Sequence, residues 1–152
     1  MRVDVVRPYV EKLLKEFFSA DTLIVDNDGD WPVRVGSSMY YVRLVDGDPP
    51  VISIFSPLLR DVTKSPELFE ELNRINSSVR FGRLYFADGV VWAKSELVAE
   101  SMDKVSLSSS CYAIGGMADQ YDTELGTRFG GTKMFDDAPS PGTPPVAKPA
   151  DV

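Results

Sequence analysis

The most regular alternation of apolar and polar positions lies in two neighbouring runs, residues 81–87 and 90–97, joined by Asp88-Gly89. Such alternation is typical of half-buried strands, and Asp-Gly between two alternating runs is a strong signal for a two-residue turn. A two-residue turn also fixes which residues of the two strands lie opposite each other. The sequence therefore predicts a β-hairpin with a defined register and two faces of different character.

One face of this predicted hairpin is mostly aliphatic, and the other is aromatic and basic. The first face, which suits a covering helix, pairs Phe86 with Val91, Leu84 with Ala93 and Gly82 with Ser95. The second face pairs Ala87 with Val90, Tyr85 with Trp92 and Arg83 with Lys94. Because like charges placed opposite each other weaken a strand pair, we expect an acidic group between Arg83 and Lys94. Two interpretations of the second face remain open: its rings belong to the core and its charges form intrachain ion pairs, or the face binds a partner.

Apolar positions with a period of 3.6 residues predict a helix on either side of the first strands. The first helix spans Val5 to Ser19, and Pro8 places its start within residues 4–7, because proline is tolerated in the first turn. The second helix begins at Ser65-Pro66-Glu67, where a capping side chain, a proline and an acid follow one another. It ends at Asn76-Ser77-Ser78.

A third and longer helix follows the hairpin. Its apolar stripe predicts a start at a Ser101 cap and an end at Gly126. Cys111 lies on that stripe, so we expect a buried and inert thiol. The Gly115-Gly116 pair lowers the helix propensity and lets another element approach the backbone closely. A packing contact within the fold is the first expectation for this pair, and a kink or a dimer contact is the second.

Three or four strands are expected between the first two helices. They span residues 22–26, 31–35, 38–44 and 51–55. Gly36-Ser37 predicts another two-residue hairpin turn, with Trp31, Val33, Tyr40 and Val42 on one face and Arg34 and Arg43 on the other. Pro32 indicates that its strand has a free edge or a bulge, because proline lacks the N–H that a ladder needs.

The character of the chain changes at residue 127. We expect one folded domain over residues 1–127 and a flexible Gly/Pro-rich tail over residues 128–152, because the tail has too few apolar residues to build a core. Five of the eleven prolines lie after residue 137. The large apolar residues of this tail, which either dock on the domain or have no structural role, are Phe129, Met134 and Phe135.

Composition narrows the possible functions. The 152 residues carry a formal net charge of −7, which argues against nucleic acid and against anionic membrane surfaces as partners. Neither a membrane-spanning run nor a secretion signal is evident. Since the single cysteine cannot form an intrachain disulfide, we expect a reducing compartment, the cytoplasm.

Candidate catalytic and metal sites are few. The chain has no histidine, which removes the commonest general base and metal ligand, and no catalytic set remains. The segment Asp26–Asp30 lacks the glycine and glutamate spacing of a calcium loop, so we expect an ordinary turn and neither a metal nor a cofactor. Asn73 and Asn76 flank the stripe of the second helix; they either bond to nearby backbone and end the helix or recognise a peptide.

The segments 68–76 (LFEELNRIN), 81–86 (FGRLYF) and 88–91 (DGVV), in this order of elements, make the chain similar to the YbjN-like bacterial domain. That family is grouped by fold with the type III secretion chaperones, and the similarity covers Val5 to Leu125. It implies an α+β fold in which helices pack on an antiparallel sheet, in the order α-β-β-β-(β)-α-β-β-α. It also implies frequent homodimers and apolar grooves that hold an extended client segment, with no catalytic residue to carry over.

We therefore expect a non-catalytic, chaperone-like module that binds a peptide or protein client. An extended peptide can add as a strand at a sheet edge while pockets take alternate side chains. The residues expected to contact the client or a second copy are Arg83, Tyr85, Val90, Trp92 and Lys94. The alternatives are a structural or regulatory homodimer without a client, and a small-ligand sensor or enzyme that uses carboxylates and needs a deep pocket.

Overall fold

The computed structural model describes residues 2–135 and has the α+β order that the sequence predicts. The helices are α1 (Arg2–Phe18), α2 (Pro66–Asn76) and α3 (Lys104–Phe129), with a short 3-10 turn at Ala99–Ser101 before α3. The strands are β1 (Trp31–Val35), β2 (Ser38–Val45), β3 (Val51–Arg60), β4 (Arg83–Ala87), β5 (Val90–Val98) and β6 (Thr132–Lys133). Within the described residues, no helix combines the length and the apolar character that crossing a bilayer requires.

The strands form one antiparallel sheet in the order β1-β2-β3-β5-β4, and β6 pairs with the end of β3. The helices pack on one face of this sheet. The core lies between them, and its fully buried members with the largest side chains are Trp31, Tyr40, Leu14, Ile52, Ile54, Leu58, Leu59, Leu68, Ile75, Leu107, Ile114 and Leu125. Alternate residues of each strand therefore enter the core, and the residues between them point away from the helices.

Both predicted hairpins have the expected registers. Val35 lies opposite Ser38 across Gly36-Ser37, and the β4–β5 hairpin pairs Ala87 with Val90 around the Asp88-Gly89 turn. The other pairs of that hairpin are Arg83–Lys94, Leu84–Ala93, Tyr85–Trp92 and Phe86–Val91. The turn chemistry alone therefore determined which side chains share a face.

The predicted strand at residues 22–26 is wrong, because this segment forms no strand. The Asp26 carboxylate accepts hydrogen bonds from the backbone N–H groups of Asp28 and Asp30, each at 2.9 Å. Such local side-chain bonds give the backbone an alternative to a strand ladder, and here they form the expected turn.

Two elements extend farther than the sequence predicted. Helix α1 begins at Arg2, so Pro8 lies beyond the first turn, where it removes one backbone hydrogen bond. Strand β3 continues through Pro57 to Arg60, with a bulge between Pro57 and Leu59 that accommodates the proline.

Both predicted ends of the third helix are also wrong. Asp103, not Ser101, caps α3, in a reciprocal capping box with Ser106. Gly126 lies inside the helix, and the terminal residue with a left-handed φ is Gly130, at +77°. The predicted domain boundary after residue 127 consequently falls within α3, and residues 136–152 of the tail expected over 128–152 lie outside the described residues.

Small residues on α3 let this helix pack closely against the sheet, as the sequence predicted. A Cβ at Gly115 would lie 3.3 Å from Cε1 of the Tyr40 ring, which is tighter than ordinary contact. Cys111 is buried beside the same tyrosine, and burial raises the pKa of its thiol to about 12. The thiol is therefore protonated at neutral pH, in agreement with the predicted inert cysteine.

Candidate functional site: the open face of the sheet

The face of the sheet that points away from the helices carries a groove with a volume of about 430 Å³. We call this surface the open face. The residues that line the groove are Arg43 and Val45 of β2, Val51, Ser53 and Phe55 of β3, Tyr85 of β4, and Trp92, Lys94 and Glu96 of β5. Because it crosses four neighbouring strands, the groove belongs to the sheet as a whole and not to the β4–β5 hairpin alone.

Five aromatic rings, which we call the aromatic row, cross the open face. The ring centroids are 6.4 Å apart for Phe135 and Tyr41, 5.5 Å for Tyr41 and Phe55, and 6.4 Å for Phe55 and Trp92. Trp92 and Tyr85 are 6.5 Å apart and stacked, with an interplanar angle of 12°. The row follows from the registers, because Tyr41 pairs with Phe55 and Tyr85 pairs with Trp92.

Arginine side chains lie over two of these rings. The Arg43 guanidinium is 4.8 Å from the centroid of Phe55, and the Arg83 guanidinium is 5.9 Å from that of Tyr85. Arg43 is held in place because its Nε and Nη2 each donate to Asp30 at 2.7 Å. A bidentate ion pair therefore holds the Arg43 guanidinium over Phe55, the middle ring of the row.

The predicted acidic group between Arg83 and Lys94 is Glu96. Its Oε1 lies 3.6 Å from Nη2 of Arg83 and 3.7 Å from Nζ of Lys94. One carboxylate thus serves two cations. Arg83, Lys94 and Glu96 together keep one more positive than negative charge, which favours an acidic group of a bound partner at this end of the groove.

Three of the five predicted contact residues, Tyr85, Trp92 and Lys94, line the groove. Arg83 borders it through Glu96, whereas Val90 lies beside the hairpin turn and outside the lining. The first interpretation is right about the charges, which form intrachain ion pairs, and wrong about the rings, because Tyr85 and Trp92 are only half-buried and lie outside the core. Binding of a partner by this face stays a prediction.

Sequence reasoning missed the part of the groove that β2 and β3 contribute. The missed lining residues are Arg43, Val45, Val51, Ser53 and Phe55. Their signal was the alternation in residues 51–55, where Ile52 and Ile54 enter the core and the residues between them point outward. The alternation predicts which face of the sheet each side chain occupies. It does not predict which strand lies alongside, so it could not place these side chains beside Trp92.

The outer edge of β4 is blocked by Asn76. Its Nδ2 donates to the carbonyl oxygen of Leu84 at 2.9 Å, and its Oδ1 accepts from the Leu84 N–H at 2.8 Å. The amide thus occupies both backbone groups that Leu84 turns away from β5. Of the two interpretations of Asn76, bonding to nearby backbone is the one that the structure bears out.

The opposite edge of the sheet, β1, is also poor at accepting another strand. A two-residue turn makes Val35–Ser38 a hydrogen-bonded pair, so alternation directs the backbone of Pro32 outward. Proline has no N–H to offer an incoming strand. Strand addition at an edge, the expected binding mode, is therefore disfavoured on both sides.

Three carboxylates, those of Asp26, Asp28 and Asp30, lie within 4.8 Å of one another beside this sheet. The Asp26 oxygen accepts two backbone N–H groups, and Asp30 is paired with Arg43. The cluster is accounted for by the turn and the ion pair. Together with desolvation, which is the larger cause, it raises the pKa of Tyr41, so this hydroxyl stays neutral.

A single antiparallel sheet with its helices on one side and an open aromatic groove on the other is the α+β arrangement that the resemblance to the secretion chaperones implies. A family model described as T3SS (YopN, CesT) and YbjN peptide-binding chaperone 1 (TY-Chap1) matches residues 4–137. The chain therefore belongs to this family. Membership confirms the predicted resemblance and the chaperone-like, peptide-binding function.

Two solved structures share the fold. One, titled "Crystal Structure of the ExsC-ExsE Complex", gives a TM-score of 0.56 at 15% identity and covers 76% of this chain and 92% of that chain. The other, "Structure of the HopA1-SchA Chaperone-Effector Complex", gives 0.55 at 15% identity and covers 75% of this chain and 93% of that chain. At this identity the likeness shows the fold alone. No curated protein sequence matches the chain.

Proposed function

We propose that the open face holds an extended segment of a client protein, which lies across the aromatic row instead of pairing with a strand edge. The observation that carries this proposal is the row itself, from Tyr41 to Tyr85, on the face that the helices leave uncovered in a member of a peptide-binding family. The obstruction of both sheet edges, by Asn76 and by Pro32, supports binding on the face.

The chemistry of the row suits a peptide. Tyrosine, tryptophan and arginine are enriched among residues that dominate binding energy, and all three meet here. Trp92 lies between Phe55 and Tyr85, so a client side chain placed over it would contact several rings at once. The one uncompensated cation near Glu96 would favour a client segment in which an acidic residue accompanies apolar ones.

The titles of the two similar structures describe complexes, one of them of a chaperone with an effector, and this supports a protein client here. The proposed activity involves no catalysis, in keeping with a chain that has no histidine. We also propose the cytoplasm as its location, since a single buried thiol suits a reducing compartment.

The proposal is tested by affinity capture from native lysate with the wild-type chain and the variant Tyr85→Ala/Trp92→Ala. Loss of two central interface aromatics costs about 2 kcal/mol or more each at a binding hot spot, so we expect client recovery to fall at least tenfold. The control is Val105→Ala, which truncates a side chain of α3 that is 71% exposed and does not line the groove. Equal recovery by all three folded proteins would remove the open face from client binding.

A second candidate, self-association, is favoured by a separate apolar surface where α1 and α3 begin. Tyr9 donates a hydrogen bond to the carbonyl of Met102, and Val5, Val6 and Glu100 join Tyr9 in lining a depression of about 520 Å³. We propose that two copies meet there, which would leave the open face free. Light scattering over a concentration series should show a dimer that Val5→Lys converts to a monomer; a wild-type monomer at every concentration would contradict this.

A further inference from the structure

A second apolar row lies on the open face, apart from the aromatic one. Phe55 of β3 belongs to the aromatic row. Four residues earlier on the same strand, Val51 pairs with Val45 of β2 and with Val98 of β5. We call these three valines the valine row, and two of them, Val45 and Val98, are 39% and 43% exposed. The open face therefore offers apolar contact at two separate places.

A polar row separates these two places. Ser53, which lies midway between Val51 and Phe55, pairs with Arg43 on one side and with Glu96 on the other. A guanidinium donates hydrogen bonds and a carboxylate accepts them, so a neutral polar side chain placed between the two can bond to both. A charged side chain would meet a like charge on one side.

The distance between the apolar rows favours an extended occupant. Val51 and Phe55 are four residues apart on one strand, which is roughly 13 Å. An extended peptide that runs along β3 covers this distance in four residues, and its alternate side chains all point toward the sheet. A helix needs about nine residues, or two and a half turns, so its second contact residue would point away from the sheet. A polyproline II chain, with three residues per turn, also turns its fourth residue aside.

We infer that the open face recognises an extended client segment with two large apolar side chains four residues apart and a neutral polar side chain midway between them. This inference rests on the proposed function and adds to it the pattern that the client must carry. One apolar side chain contacts Phe55, the other contacts Val51, and the middle one lies over Ser53 between Arg43 and Glu96. All five of these protein side chains line the groove.

Charge distinguishes the two ends of the segment. Lys94 pairs with Phe55, and Lys94 and Arg83 together carry one positive charge more than Glu96 compensates. The valine row has no charge of its own. An acidic client residue is therefore attracted to the neighbourhood of the side chain that contacts Phe55, and not to the other end.

Selection from a phage-displayed library of random dodecapeptides on the immobilised full-length chain tests this inference. Enriched peptides should carry two large apolar residues four positions apart more often, by about threefold or more, than the unselected library does. Enrichment of another spacing, such as the three or seven positions of a helix face, would overturn the inference. So would the absence of any enriched spacing.

A variant of the valine row tests where the second apolar residue binds. Val45→Ser/Val98→Ser changes two exposed side chains, and we expect its selected peptides to keep one large apolar residue with an acidic neighbour and to lose the preference for the second. The matched control Val105→Ser changes a valine of α3 that is 71% exposed, and it should select the wild-type pattern. An unchanged pair pattern on Val45→Ser/Val98→Ser would also overturn the inference.

A synthetic peptide of the enriched sequence tests the extended conformation. Deletion of one residue between its two apolar residues turns the second one away from the sheet, so we expect the affinity to fall by about tenfold or more. Tryptophan emission measures binding, because Trp31 is 2% exposed in the core and Trp92 is the tryptophan of the groove. Equal affinity of the two peptides would contradict an extended segment.

The variant Tyr85→Ala/Trp92→Ala separates this inference from the proposed function. Peptides of another spacing whose binding this variant abolishes would overturn the pattern and leave binding on the open face intact. Peptides of the expected spacing that bind this variant as well as wild type would contradict the part of the proposed function that assigns binding to Tyr85 and Trp92.

Discussion

The two faces of the sheet differ although they share the same strands. On β3, Ile52 and Ile54 point under the helices and are fully buried, whereas Val51, Ser53 and Phe55 line the groove of the open face. The covered side chains are aliphatic and the uncovered ones are aromatic, small or next to charges. A strand with a period of two can therefore contribute to stability on one side and to recognition on the other, residue by residue.

Protection of the sheet edges keeps the exposed apolar face from promoting aggregation. An exposed apolar surface next to a free strand edge is an aggregation hazard. Asn76 occupies the outward groups of Leu84 on β4, and Pro32 removes a donor from the outer edge of β1. The molecule thus keeps an exposed apolar face while both edges of its sheet pair poorly with another strand.

The largest contrast between the two faces should appear at neighbouring positions of β3. Ile54→Ala removes a side chain that is 0% exposed, and we expect a loss of about 2–5 kcal/mol in the free energy of unfolding. Phe55→Ala removes a half-buried ring of the groove, and we expect a loss of about 1–2 kcal/mol together with loss of client binding. Urea unfolding measures both changes. A larger loss of stability for Phe55→Ala than for Ile54→Ala would contradict the conclusion that the covered face stabilises the fold and the open face serves binding.

The edge of β4 provides the next largest effect. Asn76→Ala leaves the N–H and carbonyl of Leu84 without their side-chain partner, so we expect a loss of about 1–3 kcal/mol in urea unfolding. Asn76→Asp keeps the acceptor for the Leu84 N–H but turns a carboxylate oxygen toward the Leu84 carbonyl, so its loss should be at least as large. We also expect faster aggregation of Asn76→Ala under quiescent incubation, because the edge is opened. Unchanged stability and solubility would show that this amide does not protect the edge.

Local rules predicted the parts of the molecule that neighbouring residues determine. The Asp88-Gly89 turn fixed the register that joins Tyr85 to Trp92, and Ser65 capped α2 as expected, with its Oγ 3.1 Å from the Leu68 N–H. The position of Phe55 beside Trp92 could not be predicted in this way, because it depends on β3 lying next to β5 across a long connection. The end of α3 was missed because two glycine sites satisfy the same capping rule, and only the pairing of β6 with β3 selects Gly130.

Part of the loss of stability at low pH should come from the helix-covered side of the sheet and not from the open face. Hydrogen bonds from Arg74 and then Arg128 lower the pKa of Glu71 to about 2 and tie α2 to the last turn of α3. A lowered pKa in the folded state means that this contribution to stability is present above the ordinary pKa of 4.5 and is lost as the pH falls toward 2.

The difference in urea midpoint between wild type and Glu71→Gln should therefore be largest near pH 7 and shrink below pH 4. Unfolding curves at pH 7, 4 and 2.5 measure it, with Glu70→Gln, an exposed carboxylate of the same helix, as the control. A difference that does not change with pH would exclude this ion pair as a source of acid sensitivity.

The smallest effect is expected where the open face carries its own ion pairs. Glu96→Gln leaves Arg83 and Lys94 opposite each other without their shared carboxylate. Since these side chains are partly exposed, we expect a loss of no more than about 1 kcal/mol in urea unfolding, smaller in high salt, where like charges are screened. Client binding should change more than stability, because the groove becomes more positive and retains acidic segments longer. Salt-independent destabilisation comparable to that of Ile54→Ala would show that Glu96 stabilises the fold instead of tuning the face.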